Sequence, residues 1–200
     1  MWDFKNKGEV PLYQNIVVTC GVSLLTGSRN VFSMNRDETM REIRPWLHER
    51  NIDRQKQSKI EHWLHHARQF AHEVAKQPNR VCAEYSMIYE LRRQGRLGER
   101  PTIVLIVTET VGGRIVEAML TELLERDFRA NVHVIYVEVD VKHPKRLQET
   151  LGEYMSKVAN ALMRGEPSTT CFAPIGGYKV MTSLGYIVGA FLNYPTAYMH

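Results

Sequence analysis

Cysteine is scarce in this chain of 200 residues: Cys20, Cys82 and Cys171 are odd in number, widely spaced and without a CxxC pair. Such a pattern carries no disulfide framework and points to a reducing, cytoplasmic setting. Long apolar runs are also missing. Stretches such as Ile103 to Val107 fall far short of the roughly 20 residues that cross a bilayer as a helix, and no signal-peptide core opens the chain, so a soluble protein is expected. Neither sign of charge dominates, since 26 Lys and Arg face 22 Asp and Glu for a net +4, which by itself demands no nucleic-acid partner. The excess is nevertheless local: residues 41–80 hold nine basic and five acidic residues, a surplus equal to that of the whole chain. Named nucleotide motifs are absent too. Without a GxxxxGK[ST] loop or a GxGxxG fingerprint, ATP hydrolysis and NAD chemistry are disfavoured. Gly21-Val22-Ser23-Leu24-Leu25 begins like a GxSxG nucleophile elbow but has Leu25 in place of the second glycine, and no helpful histidine follows in a late loop. A serine hydrolase is disfavoured as well.

What is present is enough for one core and too little for two ordinary domains: 44% of residues are hydrophobic and 24% charged. Gln14 to Cys20 and Thr102 to Thr108 read as fully buried strands, Asn131 to Val139 as a third, and Thr170 to Ile175 and Thr196 to Met199 as weaker ones, five in all. Between them lie helical patterns. Ile60, Trp63, Leu64, Ala67, Ala71 and Val74 share one face, as do Leu147, Leu151, Tyr154, Met155, Val158 and Leu162. Further helices are expected over Ala83 to Arg93, Arg114 to Glu125 (with Ile115, Met119, Leu120 and Leu123 inward) and Tyr178 to Phe191. Buried strands alternating with helices predict an α/β, Rossmann-like parallel sheet covered on both faces. The basic segment over about residues 36–78 is too long for a crossover and reads as an inserted helical hairpin whose charges face solvent. No repeat or low-complexity tract interrupts residues 1–200.

In an open parallel sheet, ligands bind beyond the carboxyl ends of the strands, near the point where strand order reverses. Three loops there have unusual composition: Thr19 to Gly27, Thr108-Glu109-Thr110-Val111-Gly112-Gly113-Arg114, and Pro174-Ile175-Gly176-Gly177-Tyr178-Lys179. Glycine permits close backbone approach, and amides at helix starts face anions. Ser23, Thr108 and Thr110 offer hydroxyls, while Arg114 and Lys179 offer charge, so phosphate is the expected ligand class. For any one loop, turn-making glycines and capping hydroxyls are the commoner explanation; the three together favour a ligand. His62, His65, His66 and His72 crowd one helix, but no carboxylate or cysteine completes a set, and they read as surface histidines rather than a metal site.

TCGVSLLTG, CAEYSMIYEL at 82 to 91, TETVGGR and PIGGYKV, in this order from about Asn15 to the end, resemble the CARF family, the CRISPR-associated Rossmann-like sensors of type III antiviral systems. The resemblance implies a domain that binds cyclic oligoadenylate (tetra- or hexa-adenylate), with no other cofactor and no metal. The ligand would lie across a C2 homodimer, since a twofold axis through a symmetric ring serves two identical half-sites. Loops and resemblance together place the ligand site at Gly21, Val22, Ser23, Leu24 and Leu25, at Thr108, Glu109, Thr110, Gly113 and Arg114, and at Ile175, Gly176, Gly177, Tyr178 and Lys179. The family's loop serine falls on Ser23 and the lysine of its GG-aromatic-K motif on Lys179; Pro174-Ile175 departs from the family's Asn-x-Thr. Two activities follow from the resemblance. The chain is either a sensor controlling an effector domain after residue 200, as the close of the sequence on a strand suggests, or a stand-alone ring nuclease. The nuclease would move a ribose 2'-hydroxyl onto its neighbouring phosphate without metal, with Ser23 and Lys179 as catalytic residues. No well-placed histidine base is evident, so such cleavage is expected to be slow. A CRISPR-linked transcription regulator is the third alternative, kept only by the basic region at 41–80, since no DNA-reading helix is found.

Overall fold

The computed structural model describes residues 11–27, 31–32, 38–69, 71–140 and 143–198, except for the side chains at 38–40, 64, 66–68 and 71–72. Strands β1 (Tyr13–Thr19), β2 (Leu97–Thr108), β3 (Asn131–Val137) and β4 (Thr170–Ala173) form an all-parallel sheet in the order β3-β2-β1-β4. Around it lie α1 (Ser23–Thr26), α2 (Glu38–Ile43), α3 (Arg54–Gln69), α4 (Ala71–Lys76), α5 (Ala83–Arg93), α6 (Val111–Phe128), α7 (Pro144–Leu162) and α8 (Lys179–Phe191). The chain is α/β, with helices on both faces of the sheet.

The strands sort their side chains by parity, because successive residues point to opposite faces. Ile16, Val18, Ile103, Leu105, Val107, Cys171 and Ala173 pack with α5, α6 and the inserted helices, while Val17, Val104, Ile106 and Phe172 pack with Tyr154, Val158 and Leu162 of α7 and Met181 of α8. Both faces are thus dry, which is why the strands read as continuous apolar runs rather than alternating ones.

Among the described residues four strands stand where five were expected. In the last segment only Thr196 pairs, as a single parallel bridge to Phe172 beside β4. Phe172 donates to the Pro195 carbonyl (2.8 Å) and accepts from the Ala197 amide (2.7 Å), but Thr196 and Tyr198 are exposed and Pro195 has no N–H to extend a ladder. Met199 lies outside the described residues. At β4, Pro174 ends pairing two residues early, and Ile175 turns back onto the Ala173 carbonyl at 3.0 Å.

The insertion also differs from the expected simple hairpin: α2, a 3-10 turn (Arg44–Trp46), α3 and α4 follow one another, and α3 packs along α6. Ile43, Leu47, Ile60, Trp63 and Val74 carry it into the main core; Arg36 and the side chains of Leu64, Ala67 and Ala71 lie outside the described residues. It reaches farther than packing alone. The Val111 and Gly112 amides, at the start of α6, donate to the Glu49 and Leu47 carbonyls at 2.8 and 3.0 Å. A β-carbon on Gly112 would stand 2.7 Å from the Leu47 oxygen and 2.9 Å from Val22 Cγ1. Replacing a helical glycine by alanine ordinarily stabilises by roughly 0.5–1 kcal/mol. Here the sign reverses: Gly112→Ala is expected to cost about 1–3 kcal/mol by overpacking, measured by urea denaturation, and to speed proteolytic cleavage between residues 44 and 54.

Candidate functional site

In the strand order β3-β2-β1-β4 the chain runs outward from β1 through β2 to β3 and then returns to β1's other side, so the reversal lies between β1 and β4. The loops that leave those two strands meet there backbone to backbone. The Gly176 amide donates to the Thr19 carbonyl at 2.9 Å. A β-carbon on Gly21 would come within 2.6 Å of the Gly177 nitrogen, and one on Gly176 would collide with Glu84 Oε1, the Gly21 nitrogen and the Thr19 carbonyl. Gly177 has φ +97°, a conformation that side chains other than glycine's rarely adopt. These glycines are required by contact between two crevice-forming loops.

The three predicted loops divide by what holds their amides. At the first loop the Gly21 amide donates to Glu84 Oε1 at 3.0 Å. Val22 lines the crevice and Ser23 is exposed, but Leu24 and Leu25 are fully buried, which takes their side chains into the core and away from any ligand. At the second loop the start of α6 is already occupied: Leu47 and Glu49 accept from its first amides, and Thr110 Oγ1 accepts from Gly113 at 3.1 Å. Arg114 lies 3.7 Å over the Tyr136 ring and pairs with Glu109 at 3.6 Å, turned aside from the crevice. At the third loop Ile175 and Gly176 sit behind the rim, while Gly177 and Tyr178 line it. Here α8 starts without a side-chain cap, and Lys179, exposed at its first position, has no partner among the described residues.

Two adjoining hollows, of about 280 and 140 Å3, share His48, Thr108 and Tyr178. The smaller follows the glycine loops through Cys20, Gly21, Val22 and Gly177. The larger adds Arg50 from the insertion, Glu109 and Thr110 after β2, Val137 at the end of β3, and Glu138, Val139, Asp140 and His143 after it. His48 and Tyr178 face each other across the shared part, ring centroids 6.3 Å apart and planes at 29°. Thr108 and Thr110 hydroxyls are 3.3 Å apart on its floor. A histidine outside the three loops also reaches the cleft: His143 Nδ1 lies 3.0 and 3.1 Å from the two Asp140 carboxylate oxygens. His48 and Arg50 had no sequence signal, because only the docked insertion brings them to the cleft. Asp140 and His143 did have one, since they follow a strand's carboxyl end and the rule applied to the other three loops covers theirs. Among the described residues no group of three or more His, Cys, Asp or Glu could hold a metal, the side chains of His66 and His72 lying outside them.

Residues 79–200, more than half of the chain, match the family described as CRISPR-associated protein (Cas_APE2256). The chain belongs to that family. The Cas_APE2256 match takes in β2 to β4 and α5 to α8, hence Glu84, Asp140, His143 and Lys179, and starts after β1 and the insertion. No curated protein matches the chain. Among the described residues no helix is long and apolar enough to cross a membrane.

Beneath the glycine contact of this Cas_APE2256 chain lies Glu84, only 1% exposed, in the first turn of α5. Burial raises its carboxyl above the ordinary range, opposed by the Gly21 N–H that favours the anion, and its Oε2 has no hydrogen-bond partner among the described residues. Burial also pushes the Cys20 and Cys82 thiols well up, with Glu84 adding to it, so both are inert, neutral core groups. A carboxyl whose folded pKa is raised contributes full stability below about pH 4.3, where the unfolded group is protonated, and loses it as pH rises through the folded value. Glu84→Gln keeps an acceptor for Gly21 and removes the charge. Its thermal unfolding midpoint is therefore expected to gain on the native protein's as pH rises from 4 to 8, whereas Glu84→Ala, which strands the Gly21 amide, is expected to lose about 1–3 kcal/mol throughout.

Proposed function

We propose that this CRISPR-associated chain is a CARF domain that binds cyclic oligoadenylate in type III antiviral signalling. One observation carries the proposal: the β1 and β4 loops meet at the sheet's switch point, and α8 opens there uncapped with Lys179 unpaired among the described residues at its first position. A 13-residue helix presents its unsatisfied amides and positive dipole end to an anion, and a lysine at N1 adds a charge-assisted contact. The other two loop starts are less suited, one helix having four residues and the other being capped by the insertion. Exposed Ser23 offers a hydroxyl on the other side of the glycine contact. The ring would be shared by two copies. Lys179, Ser183, Ile187 and Phe191 are exposed at spacings of four along α8, with Ile187 62% and Phe191 89% exposed, and a second copy covering this face would set two Lys179 side chains about one axis. Such a domain would pass ligand occupancy to an effector.

A second reading, a metal-independent ring nuclease, is favoured by the His143–Asp140 pair in the same cleft. Titration calorimetry with cyclic tetra- and hexa-adenylate in EDTA, with chromatography of the products, tests both. The native protein is expected to bind one ring, and Lys179→Ala to weaken that binding about tenfold or more, as befits a lost charged hydrogen bond, with an unchanged melting temperature. Binding of neither ring rejects the proposal. Phe191→Asp is expected to shift the sedimentation-equilibrium mass towards that of a monomer.

A further inference from the structure

We infer that His143 is the general base of a ring-opening reaction in the larger hollow and that Asp140 positions it, a role His143 has only if cyclic oligoadenylate occupies the cleft as proposed above. Asp140 is 8% exposed in the loop three residues past β3, anchored by its amide on Thr150 Oγ1 at 3.2 Å. Its carboxylate accepts from His143 Nδ1 at 3.0 and 3.1 Å and from the His143 amide at 3.3 Å. Because a carboxylate only accepts, the Nδ1 proton is held there and the lone pair falls on Nε2. That nitrogen has no partner among the described residues, and the ring is 70% exposed at the cleft. His48 also lines the hollow, but no carboxylate bonds to its ring among the described residues.

The surrounding charges are arranged to let an anion in. Glu138 bridges Arg50 of the insertion and Arg146 of α7 (2.6 Å), Arg146 also stands 3.9 Å from Asp140, and Glu109 pairs with Arg114. Among the described residues lining this hollow, Glu109, Glu138 and Asp140 each have a cation within 4 Å. In the reaction, His143 Nε2 takes the proton of a ribose 2'-hydroxyl as the 2'-oxygen bonds to the adjacent phosphorus. The bond from phosphorus to the 5'-oxygen breaks, and the imidazolium returns the proton to that oxygen. A 2',3'-cyclic phosphate and a 5'-hydroxyl result, with no water, metal or oxidant consumed.

The test follows cleavage of cyclic tetra- and hexa-adenylate in EDTA under single-turnover conditions from pH 5 to 9, with binding measured in parallel. Native protein is expected to cleave the ring, with a rate that falls towards the acid end of this range as the base takes up a proton. His143→Ala is expected to lose about 100-fold or more, bind within about threefold of native, lack the acid limb and recover rate with added imidazole. His143→Gln guards against a folding artefact and should be equally slow. Asp140→Asn should slow cleavage and displace the acid limb, and the double variant should be no slower than His143→Ala, since Asp140 acts through His143. Intact ring after binding to native protein, unchanged cleavage in His143→Ala, or an acid limb lost only in His48→Ala each overturns the assignment while leaving the ligand reading in place; binding of neither ring removes both.

Discussion

Two backbones in contact set the geometry of everything else at this end of the molecule. Gly21 lies against Gly176 and Gly177 with no room for a β-carbon, and the buried Glu84 carboxylate beneath them holds the Gly21 amide. A parallel sheet that reverses its order leaves a gap between the two loops that diverge from the switch point. In this chain the gap is closed at its base by glycine contact and stays open above it. The arrangement tolerates a buried, unfavourable carboxyl because a positioned acceptor for a loop amide is worth more locally than an apolar residue that would strand it.

The insertion decides which helix start is available. Its Leu47 and Glu49 carbonyls bond to the first amides of α6, and in the same few residues it delivers His48 and Arg50 to the cleft wall. One helix N-terminus is thereby converted from a place where an anion would sit into a structural joint, whereas α8 starts without a side-chain cap. The segment's surplus of basic residues has a partly internal use: Arg50 answers Glu138, and Lys56, 10% exposed by its side chain, reaches Glu49 at 2.7 Å and Asp53 at 3.4 Å.

The cleft is close to neutral rather than strongly positive, because Glu109, Glu138 and Asp140 each stand beside an arginine. Under the proposed reading, selectivity for an anion would come from direction, from oriented amides and from Lys179, unpaired among the described residues, more than from net charge. It also leaves room for an imidazole held by a carboxylate, an arrangement that a field of many lysines would disfavour by repelling the imidazolium.

Legible in the amino-acid sequence alone were the features that depend on local periodicity: strands at Ile16, Ile103 and Val132, the helices from Ala83, near Val111 and near Lys179, and hence a parallel α/β sheet. The glycine loops were visible for the same reason, since a glycine cluster after an apolar run marks a tight turn whatever surrounds it. The last strand failed because a single β-branched residue after Pro195 cannot make a ladder, and Leu24 and Leu25 were read as ligand contacts because membership in a loop does not say which way a side chain points. Contacts between residues far apart in the chain carry no such signal. That Glu84 sits under Gly21, that Leu47 caps α6, and that His48 and Arg50 share a cleft with Asp140 and His143 was decided only by the packing of the insertion and the return of β4 beside β1, where shape and burial rather than local propensity choose the partners.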